Sequence, residues 1–173
     1  MGALVTTPPA RRFRQADSIS PTIFLGGSIE MGVARDWQAE AVEVLDDYAP
    51  VIYNPRRADW DASWVQAIDN PEFNAQVLWE MDAIDRADLV LLHFEAETKS
   101  PITMGELYWC LARKPLRTIV SCPPEFWRSG NVTIMCEREG ARCYADLGNA
   151  LAQVKRLADS FKTQSLGRRG RLD

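Results

Sequence analysis

Histidine is nearly absent: His93 is the only one in the chain. A histidine-rich metal centre is therefore excluded, and a Ser-His-Asp or Cys-His arrangement would have to use His93. That residue lies inside the apolar run Leu89-Val-Leu-Leu-His-Phe94, which marks it as a packed or strand-end side chain rather than a base. Catalysis then falls to carboxylates, hydroxyls and backbone dipoles. Cysteine is sparse too, and Cys110, Cys122, Cys136 and Cys143 show no C-x-x-C spacing. Reduced thiols in a cytoplasmic protein are the plain expectation. No apolar run approaches the ~20 residues that cross a bilayer, so no membrane partner is expected. Met1 to Asp17 has no apolar core before a cleavage site, so no signal peptide is expected. Positive charge is in deficit, with 20 Lys+Arg against 24 Asp+Glu and a net charge of −4. That argues against binding a nucleic-acid polymer, which needs a basic surface. There is no G-x-G-x-x-G. Gly27 and Gly32 have P-loop spacing, but Val33-Ala34 stands where Lys-Ser/Thr belongs, so neither a dinucleotide nor a triphosphate site is supported.

What is present is an apolar core. Hydrophobic residues make up 46% of a 173-residue chain, enough for one folded domain. Met1 to Ser20 carries Pro8, Pro9, Arg11, Arg12 and Arg14 without periodicity and reads as a flexible arm. Short apolar runs at Thr22–Gly26, Val51–Tyr53, Ala87–Phe94, Leu116–Ser121 and Ala141–Tyr144 read as five strands. Between them lie helical patterns at Ala34–Ala49, Pro71–Arg86, after Ser100-Pro101, and at Val132–Arg138, the last stopped by Gly140. Phe73, Val77, Met81 and Ile84 are the expected apolar face of the second helix, and Tyr108 is expected to pack. Asp146 caps a final helix, and the basic stretch from Phe161 to Asp173 reads as a disordered tail. Residues 21–160 thus form a single α/β domain. Its alternating elements predict a doubly wound, five-stranded parallel sheet in the order 2-1-3-4-5.

In such a sheet the loops after the first three strands share one rim, where ligands bind. The first loop is Gly26-Gly27-Ser28: glycine permits close backbone approach and Ser28 offers a hydroxyl. A tight strand-to-helix turn is the plain alternative. The second, Asn54-Pro-Arg56-Arg57-Ala-Asp59-Trp60-Asp61-Ala-Ser-Trp64, exceeds the usual 2–6 residues of a βα connection. Its tryptophans can stack on a flat base and its polar groups can read base edges; alternatively it is a surface loop pinned by Arg–Asp pairs. The third leads through Ser100, a candidate N-cap, and Pro101 into a helix carrying Glu106. The helix dipole would favour ionised Glu106. Thr103-x-x-Glu106 also fits a capping box. Convergence of Glu106 with Arg56, Arg57, Asp59 and Asp61 on one rim favours a site over the cap.

The ordered set Ile23-Phe-Leu-Gly-Gly-Ser-Ile-Glu-Met-Gly32, Asn54-Pro-Arg-Arg57 with Asp59-Trp-Asp61 and Trp64, Gln76-x-x-Trp79-Glu80, Ala87-Asp88, Ser100-Pro-Ile-Thr103, Glu106-Leu107 and Phe126-Trp-Arg-x-Gly-Asn-Val132 resembles the nucleoside 2-deoxyribosyltransferase-like family. The resemblance spans roughly Thr22 to Cys136. It implies a flavodoxin-like fold, a homo-oligomer, and transfer of 2-deoxyribose between nucleobases through a covalent sugar–enzyme ester, with Glu106 at the position of the nucleophile. It places Glu80 where a base-contacting aspartate stands and Asn131 where an asparagine reaches into a neighbouring subunit's site. Ser100 replaces a second base-contacting aspartate, and Phe24 lies near a site tyrosine.

The residues suit that chemistry. Breaking an N-glycosidic bond passes through an oxocarbenium-like state that a carboxylate can trap. The departing base needs a proton, which a carboxylic acid of raised pKa supplies. Glu80, then Asp59 and Asp61, are the candidates. Three readings stay open: transfer of the sugar from a nucleoside to a free nucleobase, hydrolysis of a nucleoside or nucleotide, and a non-catalytic nucleotide-binding module. Arg56, Arg57 and Ser28 holding a 5′-phosphate would favour nucleotide hydrolysis. None of these calls for a metal or a cofactor.

Overall fold

The computed structural model describes residues 2–8, 21–29, 34–61 and 63–169. Strand β1 (Leu4–Thr6) is followed by β2 (Thr22–Gly27), α1 (Trp37–Leu45), β3 (Val51–Tyr53), α2 (Pro71–Arg86) and β4 (Leu89–His93). Then come α3 (Pro101–Arg113), β5 (Thr118–Ser121), α4 (Ser129–Glu139), β6 (Arg142–Tyr144) and α5 (Leu147–Arg169). The strands form one all-parallel sheet in the order β1-β3-β2-β4-β5-β6. The architecture is α/β and consistent with a flavodoxin-like fold. The five expected strands keep their order within it, but the sheet has six.

The extra strand corrects the reading of Met1 to Ser20 as an arm throughout. Leu4–Thr6 pairs with Val51–Tyr53, and Ala3 N donates to Asp46 Oδ1 at 2.7 Å. Three residues are too few to display a two-residue period. Residues 9–20, and Gly32 of the P-loop comparison, lie outside the described residues. At the other end α5 continues to Arg169, so the tail reading fails over residues 161–169; residues 170–173 lie outside the described set.

Side chains alternate across the sheet because the strand period is two. Phe24, Val51, Tyr53, Val90, Leu92 and Val120 face a core made with Trp79, Leu107 and Val132 of α2, α3 and α4. Ile23, Leu25, Ile52, Leu89, Leu91 and Ile119 face the opposite core with Trp37 of α1 and Val154 of α5. Burying each large apolar side chain contributes about 1.5–3 kcal/mol. Asp88 ties the sheet's lower edge together, accepting from Thr22 N at 2.9 Å while its own N–H donates to Thr22 Oγ1 at 3.0 Å.

Helix α2 is rotated from the expected face. Its buried residues are Gln76, Trp79, Ala83 and Ile84, while Val77 and Met81 are exposed. The large ring of Trp79, set edge-on to Tyr53 at 6.3 Å, takes the inward position. Tyr108 is likewise exposed rather than packed. The rotation brings Glu80, one residue beyond Trp79, to the upper flank of the core.

Candidate active site

Gly26 shares the parity of Phe24 and so faces α2 and α3. A Cβ there would lie 2.7 Å from both Leu92 Cδ2 and Phe24 Cε1, and 3.2 Å from Glu106 Oε2. Glycine is what lets the Glu106 carboxyl approach the end of β2. Gly27 faces the other way, with φ of 151°; a Cβ there would meet the His93 carbonyl at 2.3 Å and Trp37 at 2.7 Å. It is a packing requirement between β2, β4 and α1, not a ligand-facing residue.

Glu106 is the sixth residue of α3, counting from Pro101. The capping-box reading therefore fails, since Thr103 is already inside the helix. The dipole argument weakens as well, because that field acts over the first turn. Glu106 and Glu80 each keep part of their surface at the rim, yet their carboxyl groups are packed closely enough for desolvation to dominate. Burial pushes Glu106 well above the ordinary carboxyl range, and the neighbouring Glu80 pushes it further. Burial raises Glu80 to about 7, opposed by its hydrogen bond from Gln76. Two like charges at close range cannot both ionise cheaply, so the pair holds a proton near neutral pH.

Gln76 is the residue that sequence reasoning left out of the site. Its amide Nε2 donates to Glu80 Oε1 at 2.7 Å and to the Pro55 carbonyl at 3.1 Å, anchoring the acid to the loop after β3. The spacing i, i+4 on one helix was the available signal.

Ser28 and Ser100 are brought together, but for each other. Ser28 Oγ lies 2.6 Å from Ser100 Oγ and 2.9 Å from Thr98 Oγ1, and accepts from Glu95 N at 2.9 Å. One hydroxyl proton and two lone pairs are then fully engaged. Thr98 and Ser100 are 2.7 Å apart, and all three side chains are buried. Ser100 is the N-cap residue by position but has left-handed backbone (φ 47°) and makes no side-chain cap. The expected Ser100 cap and the ligand-facing Ser28 are thus replaced by a buried hydroxyl cluster that joins the loops after β2 and β4.

The β3 loop serves itself in the same manner. Arg56 donates to the carbonyls of Ala34 and Arg35 at 3.0–3.4 Å, holding the segment before α1. Arg57 forms a fork on Asp59 and lies over the Trp64 ring at 5.1 Å; Trp64 in turn meets Trp60 edge-on at 5.2 Å. Asn54 Oδ1 accepts from Arg56 N, and Asp61 Oδ1 accepts from Ser63. Arg57 holds the Asp59 carboxyl below the usual range, and Ser63 does so for Asp61. Neither suits the delivery of a proton near neutral pH. His93 is buried between Ser121 and Glu95, and burial lowers its pKa. Asn131 sits in the first turn of α4 and is exposed.

A family model described as nucleoside 2-deoxyribosyltransferase like matches residues 20–126. The chain belongs to that family. The matched span is more than half of the chain and carries β2 through the end of β5, including Gly26, Glu80 and Glu106; Asn131 lies beyond it. No curated protein sequence matches the chain. Membership makes nucleoside-type substrates the relevant chemistry for the rim described above.

Proposed function

We propose that the protein is a nucleoside deoxyribosyltransferase, with Glu106 as nucleophile and Glu80 as proton donor. The observation that carries this reading is the carboxyl pair, supplied by successive helices with Glu106 beside the end of β2, in a chain of this family. A Glu106 oxygen attacks the anomeric carbon as the bond to the base breaks. The bonding electrons leave with the base, which takes the proton from Glu80. A second base then attacks the same carbon, releases the Glu106 carboxylate and returns a proton to Glu80. Two displacements retain configuration. Positive charge developing on the sugar favours ionised Glu106, so the proton of the pair resides on Glu80 when substrate is bound.

Retention of a 5′-phosphate by Arg56, Arg57 and Ser28 loses its support, because all three are committed to internal contacts. We further propose a homo-oligomer in which Asn131 approaches a neighbouring subunit's site. The test is to mix the protein with a deoxyribonucleoside and a different free base. Exchanged nucleoside is the expected product; free deoxyribose alone would establish hydrolysis, and binding without turnover would reduce the protein to a nucleoside-binding module.

A further inference from the structure

Gln76 stands one helical turn before Glu80 on α2, and it is buried. The Pro55 carbonyl can only accept, so the end of the amide that meets it at 3.1 Å is the nitrogen. That contact fixes which way round the amide lies, a choice the carboxyl alone would leave open. The other N–H of the same nitrogen donates to Glu80 Oε1, 2.7 Å away. Both hydrogens of Nε2 are thereby engaged, while Oε1 of Gln76 meets no protein donor among the described residues. An apolar side chain of the same length would fill the space without stranding that acceptor. Packing therefore does not account for the amide, whereas its donor end does. The charged neighbour of Glu80 is Glu106 of α3, which is of like sign. The cations of the β3 loop are turned elsewhere, Arg56 to the carbonyls of Ala34 and Arg35 and Arg57 to Asp59. The Gln76 amide is thus the group that favours the ionised Glu80 carboxyl.

We propose, resting on Glu80 as the proton donor, that Gln76 is the positioning residue of that step: its amide holds Glu80 Oε1, so that Oε2 delivers the proton to the departing base. An oxygen that already accepts a hydrogen bond is best kept as the carbonyl oxygen of the protonated acid, which leaves the O–H on Oε2. As the glycosidic bond breaks, the proton moves to the base and the O–H electron pair stays on Oε2. The hydrogen bond from Gln76 then becomes one to a carboxylate, which is the stronger kind. That gain arises only as the base leaves, so it stabilises the transition state rather than the bound substrate.

Two variants test this in the full-length protein. Gln76→Met keeps the length of the side chain and removes both donors, and Gln76→Asn keeps an amide that is too short to span Pro55 and Glu80 together. Each is compared with the unmodified protein and with Glu80→Gln on two substrates. One is a deoxyribonucleoside, whose base needs a proton as it leaves. The other is para-nitrophenyl 2-deoxyriboside, whose leaving group is a stable anion and needs none. Turnover of the deoxyribonucleoside by either Gln76 variant should fall about ten- to hundredfold. The alkaline limb of its pH profile should move up by about one pH unit, as the loss of a hydrogen bond to a charged group implies. Turnover of the nitrophenyl compound should stay close to that of the unmodified protein. Should Gln76→Met fail to fold in a thermal melt, Gln76→Asn carries the comparison. An equal loss on both substrates with the limb in place, or no loss on either, would overturn the role of Gln76 and leave Glu80 as the acid. Full turnover of the deoxyribonucleoside by Glu80→Gln, or no turnover by the unmodified protein, would overturn the reading of Glu80 and this proposal with it.

Discussion

Glu80 and Glu106 determine how the molecule should respond to pH. A carboxyl whose pKa is raised on folding binds its proton more tightly in the folded state. Its favourable contribution is present below the unfolded value, near 4.5, and is lost as pH rises through the folded value, about 7 for Glu80. Thermal stability should therefore fall between about pH 5 and 8, with an upper bound of ~3 kcal/mol from Glu80 alone at 1.36 kcal/mol per pKa unit. Glu80→Gln should flatten that decline, as followed by melting temperature across this range. Turnover should fall over the same limb, because the protonated form is the one proposed to work. A flat profile in the unmodified protein would remove Glu80 as the acid. Glu106→Gln should lower turnover by orders of magnitude and leave the fold intact, since it replaces the proposed nucleophile with an isosteric group and breaks no cap. Gly26→Ala tests the same spot from the strand side. Its methyl would press on Phe24, Leu92 and Glu106, so a loss of stability of about 1–3 kcal/mol from overpacking should accompany a large fall in turnover. Denaturant unfolding and steady-state rates measure the two separately.

At the scale of elements, the hydroxyl cluster fixes where α3 begins. Ser28 joins the loop after β2 to Thr98, Ser100 and the Glu95 N–H, and Ser100 takes left-handed backbone directly before Pro101. Ser28→Ala leaves the partly buried Glu95 N–H without its acceptor, which should cost about 1–3 kcal/mol. It should also slow turnover by letting the first turn of α3 shift beneath Glu106; unchanged rates with reduced stability would confine the cluster to a structural role. The elements themselves were largely legible, because β2, β4 and β5 are short apolar runs and each helix follows with its own period. The rotation of α2 was not. Phe73, Val77, Met81 and Ile84 keep a helical period, but so do Gln76, Trp79 and Ala83, and only packing against Tyr53 selects between them. Of the proposed site, Glu106 is marked by its strand-loop-helix context and Glu80 by the family resemblance. The fates of Arg56 and Ser28 were not legible, since their partners lie 21 and 72 residues away in the chain.

For the whole molecule, the outward faces of two helices bear on the carboxyl pair. Helix α2 presents Val77, Leu78 and Met81 outward, and α3 presents Ile102, Tyr108 and Trp109. These are the same two helices that carry Glu80 and Glu106, so the exposed apolar surface flanks the proposed site. A second subunit seated on it would bury that surface and exclude water from the sugar, which favours transfer to a base over hydrolysis. A stable contact needs about 800 Å² per partner, which two helix faces can supply. Replacing Leu78 and Met81 together with lysine should break such a contact at little cost to the subunit, because both side chains already face solvent. Sedimentation should shift from oligomer to monomer, the melting transition should remain cooperative, and exchange should fall relative to any residual hydrolysis. Asn131→Ala should lower turnover without changing the assembly, if its side chain reaches the neighbouring site. Full exchange activity in a wild-type monomer at high dilution would show that each subunit completes its own site.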